Sequence, residues 1–315
     1  MLVTIGLVAV TSSVGHAASR PVIKKLGTID CDMVETTPIV FRGRLYRFEY
    51  VRANYKPNKT GNSYFRFIDV ESGKATPAFA EGYHLGSAFV ERGTVYVFGT
   101  DAWGGTRIQV FWSKGMKTWE SKPALVLPGW GIFNTSVCKG ANGYVMAFEI
   151  DKPPEETGRA FTMRFAESDN LLDWRLTGPD CVFSKDRYTA CPALRFLDGL
   201  YYMIYLEARP GPTWEPHIVR SEDLVHWESS PFNPVMQFSA EDKLIANPHL
   251  TAEQREHIAR ALNRNNSDVD LCEHKGKVII YYSWGNQEGI EFLAEARCDG
   301  TLASFLRAFF PGPGP

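Results

Sequence analysis

The sequence predicts an all-β protein, built as a single five-bladed β-propeller. Its 315 residues include 27 Gly, 19 Pro, 13 Tyr, 20 Phe and 8 Trp, a composition typical of many short strands joined by turns. A unit of roughly fifty residues recurs along the chain. Each copy shows the same order of strands and turns, which favours a ring of similar blades.

The repeat is clearest where a serine is followed six residues later by a tryptophan. The three segments are SKGMKTW, SDNLLDW and SEDLVHW, which end at Trp119, Trp174 and Trp227. Upstream of each segment, an apolar run, a glycine turn and an aromatic-rich run predict a pair of antiparallel strands. Two further copies lie near the ends of the chain, and the turn glycines of all five are Gly43, Gly93, Gly143, Gly199 and Gly276. A β-sandwich has no reason to repeat in this way.

We expect one propeller domain over residues 26–311, followed by a tail over 312–315. A helix over Leu250–Arg264, with Thr251 as its N-cap, is predicted as an insertion between blades four and five. The last blade lacks a clear fourth strand, so the extended segment Leu26–Val34 is expected to supply it and cover the open edges. In that arrangement a disulfide between Cys31 and Cys298 is one possibility, and burial of free thiols is the default.

The N-terminal segment Met1–Ala18 has an apolar run followed by small residues, which predicts a cleaved signal peptide over residues 1–18 and a secreted or periplasmic protein. The run is too short to span a bilayer. With 34 basic and 36 acidic residues the formal charge is −2, so the chain has no net positive charge to attract the phosphates of a nucleic acid. The cysteines are too widely spaced for CxxC-type zinc sites.

Propeller topology brings distant residues to one face, because the inner strand of each blade begins where the second strand ends. The carboxylates expected there are Glu35, Glu149, Glu207, Asp268 and Asp270. The expected sugar-binding side chains are Arg52, His84, Asp101, Trp103, Tyr188, Arg209, Trp284, Asn286 and Gln287. Aromatic planes, amides and carboxylates are the groups that bind and cleave a sugar.

Cleavage of a glycosidic bond needs one protonated and one ionised carboxyl group. The two-residue period of a strand predicts Asp268 and Asp270 on one side, where like-charge repulsion raises one pKa. We expect one of these aspartates to be the base or nucleophile and Glu207 to be the acid, with Glu149 in reserve. The alternatives are a cation site at the aspartates, including a structural calcium, and structural salt bridges at the glutamates.

The turn Ser221–Trp227, with its S-x-D-L-x-x-W pattern, resembles the five-bladed glycoside hydrolases of families 43, 32 and 68. The segment Ala190-Cys191-Pro192 looks like the E-C-P segment of family 32, and Thr37-Pro38 looks like its D-P opening. The resemblance implies the fold over almost the whole mature chain. It also implies catalytic carboxylates at positions where this chain has Thr37, Thr135 and Ala190.

These departures leave two functional hypotheses. The first is a secreted, exo-acting glycoside hydrolase whose carboxylates have moved to other blades, which needs no cofactor and acts on an oligosaccharide or polysaccharide. The second is a propeller that binds carbohydrate without cleaving it. A purely structural or protein-binding propeller is a third reading, in which the chain's own loops fill the central funnel.

Overall fold

The computed structural model describes residues 20–56, 58–211 and 213–312. The predicted signal peptide and most of the predicted tail therefore lie outside the described residues. Strands make up 51% of the chain and helices 8%, which confirms the all-β prediction. Among the described residues, no helix has both the length and the apolar character needed to cross a bilayer.

The strands form five antiparallel units in chain order, preceded by β1 (Lys24–Cys31). Unit 1 contains β2 (Thr37–Phe41), β3 (Arg44–Val51) and β4 (Tyr64–Asp69). Unit 2 contains β5 (His84–Glu91), β6 (Thr94–Thr100), β7 (Arg107–Ser113) and β8 (Glu120–Val126). Unit 3 contains β9 (Gly131–Gly140), β10 (Gly143–Lys152), β11 (Thr162–Ser168), β12 (Arg175–Leu176) and β13 (Val182–Phe183), with helix α1 (Pro154–Thr157) after β10.

Unit 4 contains β14 (Thr189–Leu197), β15 (Leu200–Arg209), β16 (Thr213–Ser221) and β17 (Glu228–Ser229). Unit 5 contains β18 (Asn265–His274), β19 (Lys277–Gly285) and β20 (Glu291–Asp299). A 3-10 helix (Ala240–Lys243) and helix α2 (Ala252–Arg260) lie between these two units, and helix α3 (Leu302–Ala308) follows β20. Units 4 and 5 share one hydrogen-bonded sheet through a single parallel pair, Trp214 with Asn265.

The five units are arranged around a common centre. The first strands contact one another in sequence, β2 with β5, β5 with β9, β9 with β14, and β14 with β18. Strand β18 in turn contacts β2, so the series closes on itself. The beginnings of these five strands therefore meet around one opening.

Strand β1 completes unit 5, as expected for the segment Leu26–Val34. It pairs antiparallel with β20, so the chain before unit 1 supplies the outer strand of the last unit. The possible disulfide is not formed. Cys31 lies opposite Phe292, at the other end of the strand pair from Cys298, and all six cysteines are free.

The repeated serine and tryptophan have a structural role in the turns. In unit 3 the hydroxyl of Ser168 accepts a hydrogen bond from the backbone N–H of Leu171 at 2.9 Å, and the Trp174 indole donates to the Leu171 carbonyl at 3.0 Å. Unit 4 repeats both bonds around Leu224. The motif thus satisfies polar groups of a tight turn while the indole packs on the core.

Helix α2 begins directly after Thr251, whose hydroxyl accepts from the backbone N–H of Gln254 at 3.2 Å. This is the N-cap that the sequence predicts. Ile258 is buried against unit 5, whereas Leu262, expected on the same apolar face, lies beyond the helix and is 52% exposed.

Candidate functional site

Backbone irregularities mark the beginnings of the first strands. The antiparallel registers of β5, β14 and β18 each shift near the start, and one residue in each shift has a positive φ: Leu85 (53°), Cys191 (52°) and Asp268 (50°). Glu35, just before β2, has a φ of 56°. Left-handed backbone is costly for residues other than glycine, and bulges of this kind redirect side chains at functional sites.

Four carboxyl groups lie close to one another near these irregular strand starts. We call them the central acid cluster, comprising Glu35, Glu149, Asp268 and Glu291. Burial raises the pKa of each of the three glutamates, and the negative charge of Asp268 raises all three further. For Glu149 and Glu291 the pKa rises to about 7, and for Glu35 it lies well above the usual range. The cluster thus holds three glutamates whose protonated form is favoured, beside the negative charge of Asp268.

Glu149 is the most enclosed member, with 3% of its surface exposed. Its Oε2 accepts a hydrogen bond from the backbone N–H of Cys191 at 2.8 Å and another from the Asn134 amide at 3.1 Å. Both donors depend on strand irregularities, since Asn134 lies in a register shift of β9 and Cys191 in that of β14. The first strands of two units therefore cooperate to place this carboxyl, which itself lies on β10.

Glu291 is the first residue of β20, the third strand of unit 5, and so follows Asp268 of β18 in the chain. Its carboxylate accepts from the backbone N–H of Gln287 at 2.7 Å and from the Asn265 amide at 3.4 Å. Arg52, which is ion-paired with Asp32, lies close enough for its charge to lower the Glu291 pKa slightly against the larger effects of burial and Asp268. The side chain is 8% exposed.

Several buried polar atoms around the cluster lack a protein partner. Among the described residues these include Glu35 Oε2, Arg52 Nε, Asp151 Oδ1 and Asn265 Oδ1. Buried polar groups are nearly always hydrogen-bonded in folded proteins, and exceptions gather at binding sites. Donors and acceptors so arranged are suited to the hydroxyl groups of a sugar.

The predicted pairing of Asp268 with Asp270 is corrected by the structure. The register shift between Ser267 and Asp270 breaks the two-residue period on which the prediction depended. Asp270 forms an ion pair with Arg195, whereas the hydroxyl of Ser267 donates to Asp268 at 2.8 Å. Both aspartates border the small space at the centre of the ring, but only Asp268 affects the pKa of the three glutamates.

The glutamates at the repeated position after β-strand aromatic runs have three different environments. Glu49 is fully buried between Arg47 and Arg66, with N–O distances of 2.6 Å to each. Glu207, the expected acid, accepts from the Tyr205 hydroxyl at 2.6 Å and from Arg209 at 3.0 Å. Only Glu149 belongs to the central acid cluster. The salt-bridge alternative therefore describes Glu49 and Glu207.

Aromatic rings form a row from the surface to the cluster. Trp103 is 64% exposed and meets Phe133 edge to face at 5.9 Å between ring centroids. Phe133 meets Phe161 at 4.8 Å, and Phe161 meets Tyr188 at 5.7 Å. Tyr188 is close enough to Glu149 and Asp268 for their charges to raise its pKa. Trp103 and Tyr188 were both expected at the site from the sequence.

The remaining predicted binding residues are distributed differently. His84 bonds the Tyr50 hydroxyl through Nδ1 at 2.7 Å, close to Glu35, and burial lowers its pKa. The structure places four others in structural roles. Trp284 is fully buried and stacks on Phe292, and Arg209 forms an ion pair with Glu207. Asp101 accepts a hydrogen bond from the backbone N–H of Arg107, and Asn286 caps the turn before β20. Gln287 contributes its backbone N–H to Glu291.

Sequence reasoning missed Glu291 as a member of the cluster. No repeated pattern points to it, because the third strands of the other units begin with different residue types, namely Tyr64, Arg107, Thr162 and Thr213. Cys191 was considered only as a buried free thiol and as part of the E-C-P resemblance. The left-handed backbone at Cys191 brings its N–H to Glu149, and no residue pattern in the sequence predicts this conformation.

Two spaces adjoin the cluster. The space at the centre of the ring is small, about 30 Å³, and lies among residues that include Glu35, Asn134 and Asp268. A larger cleft of about 640 Å³ opens between helix α2 and the loop after β3, and Glu291 lies on its wall. Within the described residues, no group of three or more His, Cys, Asp and Glu side chains is arranged to hold a metal ion.

The raised carboxyl pKa values predict a pH-dependent stability. Since Glu149 and Glu291 titrate at about 7 in the folded protein and near 4.5 in the unfolded chain, the folded state retains protons that the unfolded state releases. The free energy of unfolding should therefore fall as the pH rises from 4.5 to 7, by on the order of 3 kcal/mol per carboxyl. Denaturant unfolding at a series of pH values measures this. Asp268→Asn should make the fall shallower, and equal slopes in both proteins would contradict the proposed coupling.

Comparison with known proteins gives a consistent picture of the fold. No protein-family model matches the sequence, and no curated protein matches it. Solved structures do match. A glycoside hydrolase aligns over 93% of this chain and 96% of its own, with 15% identity and a TM-score of 0.61. The chain shares the fold of this glycoside hydrolase.

Two further structures extend this likeness. An α-L-arabinofuranosidase from Podospora anserina in complex with cellotriose aligns over 88% of this chain and 95% of its own, with 9% identity and a TM-score of 0.58. A thermostable family-43 glycoside hydrolase aligns over 92% and 97%, with 12% identity and a TM-score of 0.57. The predicted resemblance to this group is confirmed at the level of the fold.

Proposed function

We propose that this chain is an exported five-bladed β-propeller glycoside hydrolase that releases a terminal sugar from a glycan and needs no cofactor. The observation that carries the proposal is the convergence of Glu35, Glu149, Asp268 and Glu291, beside left-handed backbone at Glu35, Cys191 and Asp268. Acidic groups gathered against their mutual repulsion cost stability, which favours a chemical role. The closed series of five units supports the propeller, and the N-terminal pattern supports export.

The cluster supplies the two carboxyl states that glycoside cleavage needs. Asp268 provides the negative charge, and either accepts a proton from the attacking water or bonds directly to the anomeric carbon. A neutral carboxyl with a pKa near 7 donates a proton to the departing oxygen. Glu149 and Glu291 both have this property, each because of burial and the charge of Asp268.

The surroundings of the cluster favour a terminal, neutral sugar as the group released. The central space that Asp268 borders is only about 30 Å³, too small for a saccharide chain to thread through the ring, so we propose that a chain end approaches Asp268 from outside it. The solved structures of similar fold include an α-L-arabinofuranosidase and a xylan β-1,4-xylosidase. We therefore propose L-arabinofuranose or D-xylose as the terminal sugar.

Product analysis on a panel of glycans tests the proposal. The purified protein is incubated with aryl glycosides of L-arabinofuranose and D-xylose and with arabinan, xylan and pectic polysaccharides, and the released sugars are separated by chromatography. Release of a single monosaccharide from chain ends is expected. Saturable glycan binding with no sugar released would replace the proposal with the non-catalytic carbohydrate-binding function.

Replacement of Trp103 by alanine should weaken substrate binding without affecting stability. The indole is 64% exposed and contacts Phe133 only edge to face, so little packing is lost. Loss of a stacking surface is worth about 0.5–1.5 kcal/mol, which corresponds to a rise in KM of about 2- to 12-fold. Steady-state kinetics on the best polysaccharide measures the effect. An unchanged KM would remove Trp103 from the substrate site.

A further inference from the structure

The cleft beside helix α2 is lined by one member of the central acid cluster, Glu291. Its walls come from the loop after β3, the end of β1, the turn before β20 and helix α2, and they include Tyr55, Gln254, His257 and Ile290. We call this space the helix cleft. Its volume of about 640 Å³ is within the range of ligand-binding pockets. The helix is an insertion outside the repeated units, so this wall is specific to the gap between units 4 and 5.

Glu291 is the cluster member that borders the helix cleft. Both Glu291 and its neighbour Ile290 line the cleft, and Ile290 is 40% exposed whereas Glu291 is 8% exposed. Glu149, in contrast, is held by the Cys191 N–H and the Asn134 amide and does not border the cleft. Of the four cluster members, Glu291 is therefore the one that lines the cleft.

Apart from Glu291, the carboxylates and the lysine that line the helix cleft are ion-paired. Lys56, from the loop after β3, bonds Glu253 of helix α2 at 2.8 Å across the mouth, and Arg52 is ion-paired with Asp32. Paired charges of this kind leave little net field for an anionic ligand. Tyr55 and Ile290 add apolar surface, and Gln254 and Thr251 add polar groups. This chemistry fits a neutral saccharide better than a chain of uronic acids.

We infer that Glu291 is the proton donor to the leaving group, and that the departing neutral saccharide lies in the helix cleft. The inference rests on the proposed function. The Glu291 proton passes to the glycosidic oxygen as the bond from that oxygen to the anomeric carbon breaks. A water molecule supplies the hydroxyl group of the released sugar, and its remaining proton returns, through Asp268 or directly, to the Glu291 carboxylate. The net reaction consumes one water.

The role of Glu291 is tested by varying the leaving group. Glu291→Gln keeps the shape of the side chain, and its amide can donate to Asn265 Oδ1, which has no partner in the native protein. On the methyl glycoside of whichever sugar the wild type releases, we expect kcat/KM to fall by about 10²- to 10⁴-fold. On the 2,4-dinitrophenyl glycoside, whose leaving group needs no proton, the fall should be less than about tenfold. In the wild type, loss of the Glu291 proton should make kcat/KM decline above about pH 7, and this decline should be absent in Glu291→Gln.

Whether the departing saccharide lies in the helix cleft is tested by placing a larger side chain in the cleft wall. His257 is exposed on helix α2 and lines the cleft, so His257→Trp should narrow it, while Glu256→Trp, on the adjacent exposed position outside the cleft, is the matched control. His257→Trp should lower kcat/KM for a neutral tetrasaccharide at least about tenfold more than for the methyl glycoside, since about 1.4 kcal/mol of leaving-group binding is lost. The control variant should show no such difference.

The outcomes separate the two proposals. Equal losses on both leaving groups in Glu291→Gln would overturn the proton-donor role, and equal behaviour of the two tryptophan variants would overturn the occupant of the cleft. In either case sugar release by the wild type would leave the proposed function intact. If the wild type releases no sugar from any substrate, the proposed function itself is wrong and the inference ends with it.

Discussion

Asp268→Asn is expected to lower kcat by at least about a thousandfold while the protein remains fully folded. Asp268 is the only member of the central acid cluster whose charge raises the pKa of all three glutamates. Its removal eliminates the ionised carboxyl and also lowers the pKa of the neutral ones. Kinetics on the released sugar's aryl glycoside, together with thermal unfolding, measures both effects.

Folding should survive this substitution for a specific reason. Asn tolerates the left-handed backbone that Asp268 adopts, and its carbonyl oxygen can accept the hydrogen bond from Ser267. Asp270→Asn, two residues further along β18, is the matched control. It breaks the ion pair with Arg195 and should reduce stability while most of the turnover remains. Full activity in Asp268→Asn, or a greater loss of turnover in Asp270→Asn, would show that the catalytic centre has been assigned to the wrong carboxyl.

Equivalent glutamates in units 1 and 3 should respond oppositely to replacement by glutamine. Glu49→Gln leaves Arg47 and Arg66 without their shared, fully buried counter-charge, so we expect a loss of about 3–5 kcal/mol in the free energy of unfolding. Turnover of the folded enzyme should stay near the wild-type value, since Glu49 lies outside the cluster. Denaturant unfolding and active-site kinetics measure the two quantities separately.

Glu149→Gln should give the reverse pattern. A neutral side chain replaces a carboxyl whose ionised form burial disfavours, raising its pKa to about 7, so stability near pH 7 should be unchanged or increased. We expect kcat/KM to fall about a hundredfold or more, to a similar extent for methyl and 2,4-dinitrophenyl glycosides, because Glu149 belongs to the cluster but does not line the cleft proposed for the leaving group. If Glu49→Gln lost activity and Glu149→Gln lost stability, the roles given to this repeated position would be interchanged.

Much of the fold follows from the sequence because the signals repeat. Five glycine turns and three serine-to-tryptophan turns are sufficient to locate the units, and Thr251 is sufficient to place the start of helix α2. The N-terminal strand is predictable from the missing fourth strand of unit 5. Each of these features depends on local residue preferences or on the need to cover a sheet edge.

The composition of the site was less predictable because it depends on breaks in the regular pattern. Strand periodicity puts Asp268 with Asp270, whereas a bulge separates their roles. Three glutamates share one repeated position, and only the neighbouring side chains, such as Arg66 beside Glu49, distinguish an ion pair from a member of the cluster. Glu291 follows an irregular turn with no repeat. Such differences arise from tertiary contacts that a pattern of residue types does not contain.

The most direct test is to compare monosaccharide release from arabinan- and xylan-type glycans by the wild type and by Asp268→Asn under identical conditions. The account predicts one neutral sugar liberated from chain ends by the wild type, and almost none by a variant that still binds the same glycan. Comparable release by both proteins, or none by the wild type despite binding, would contradict the claim that these gathered carboxyls cleave a glycosidic bond.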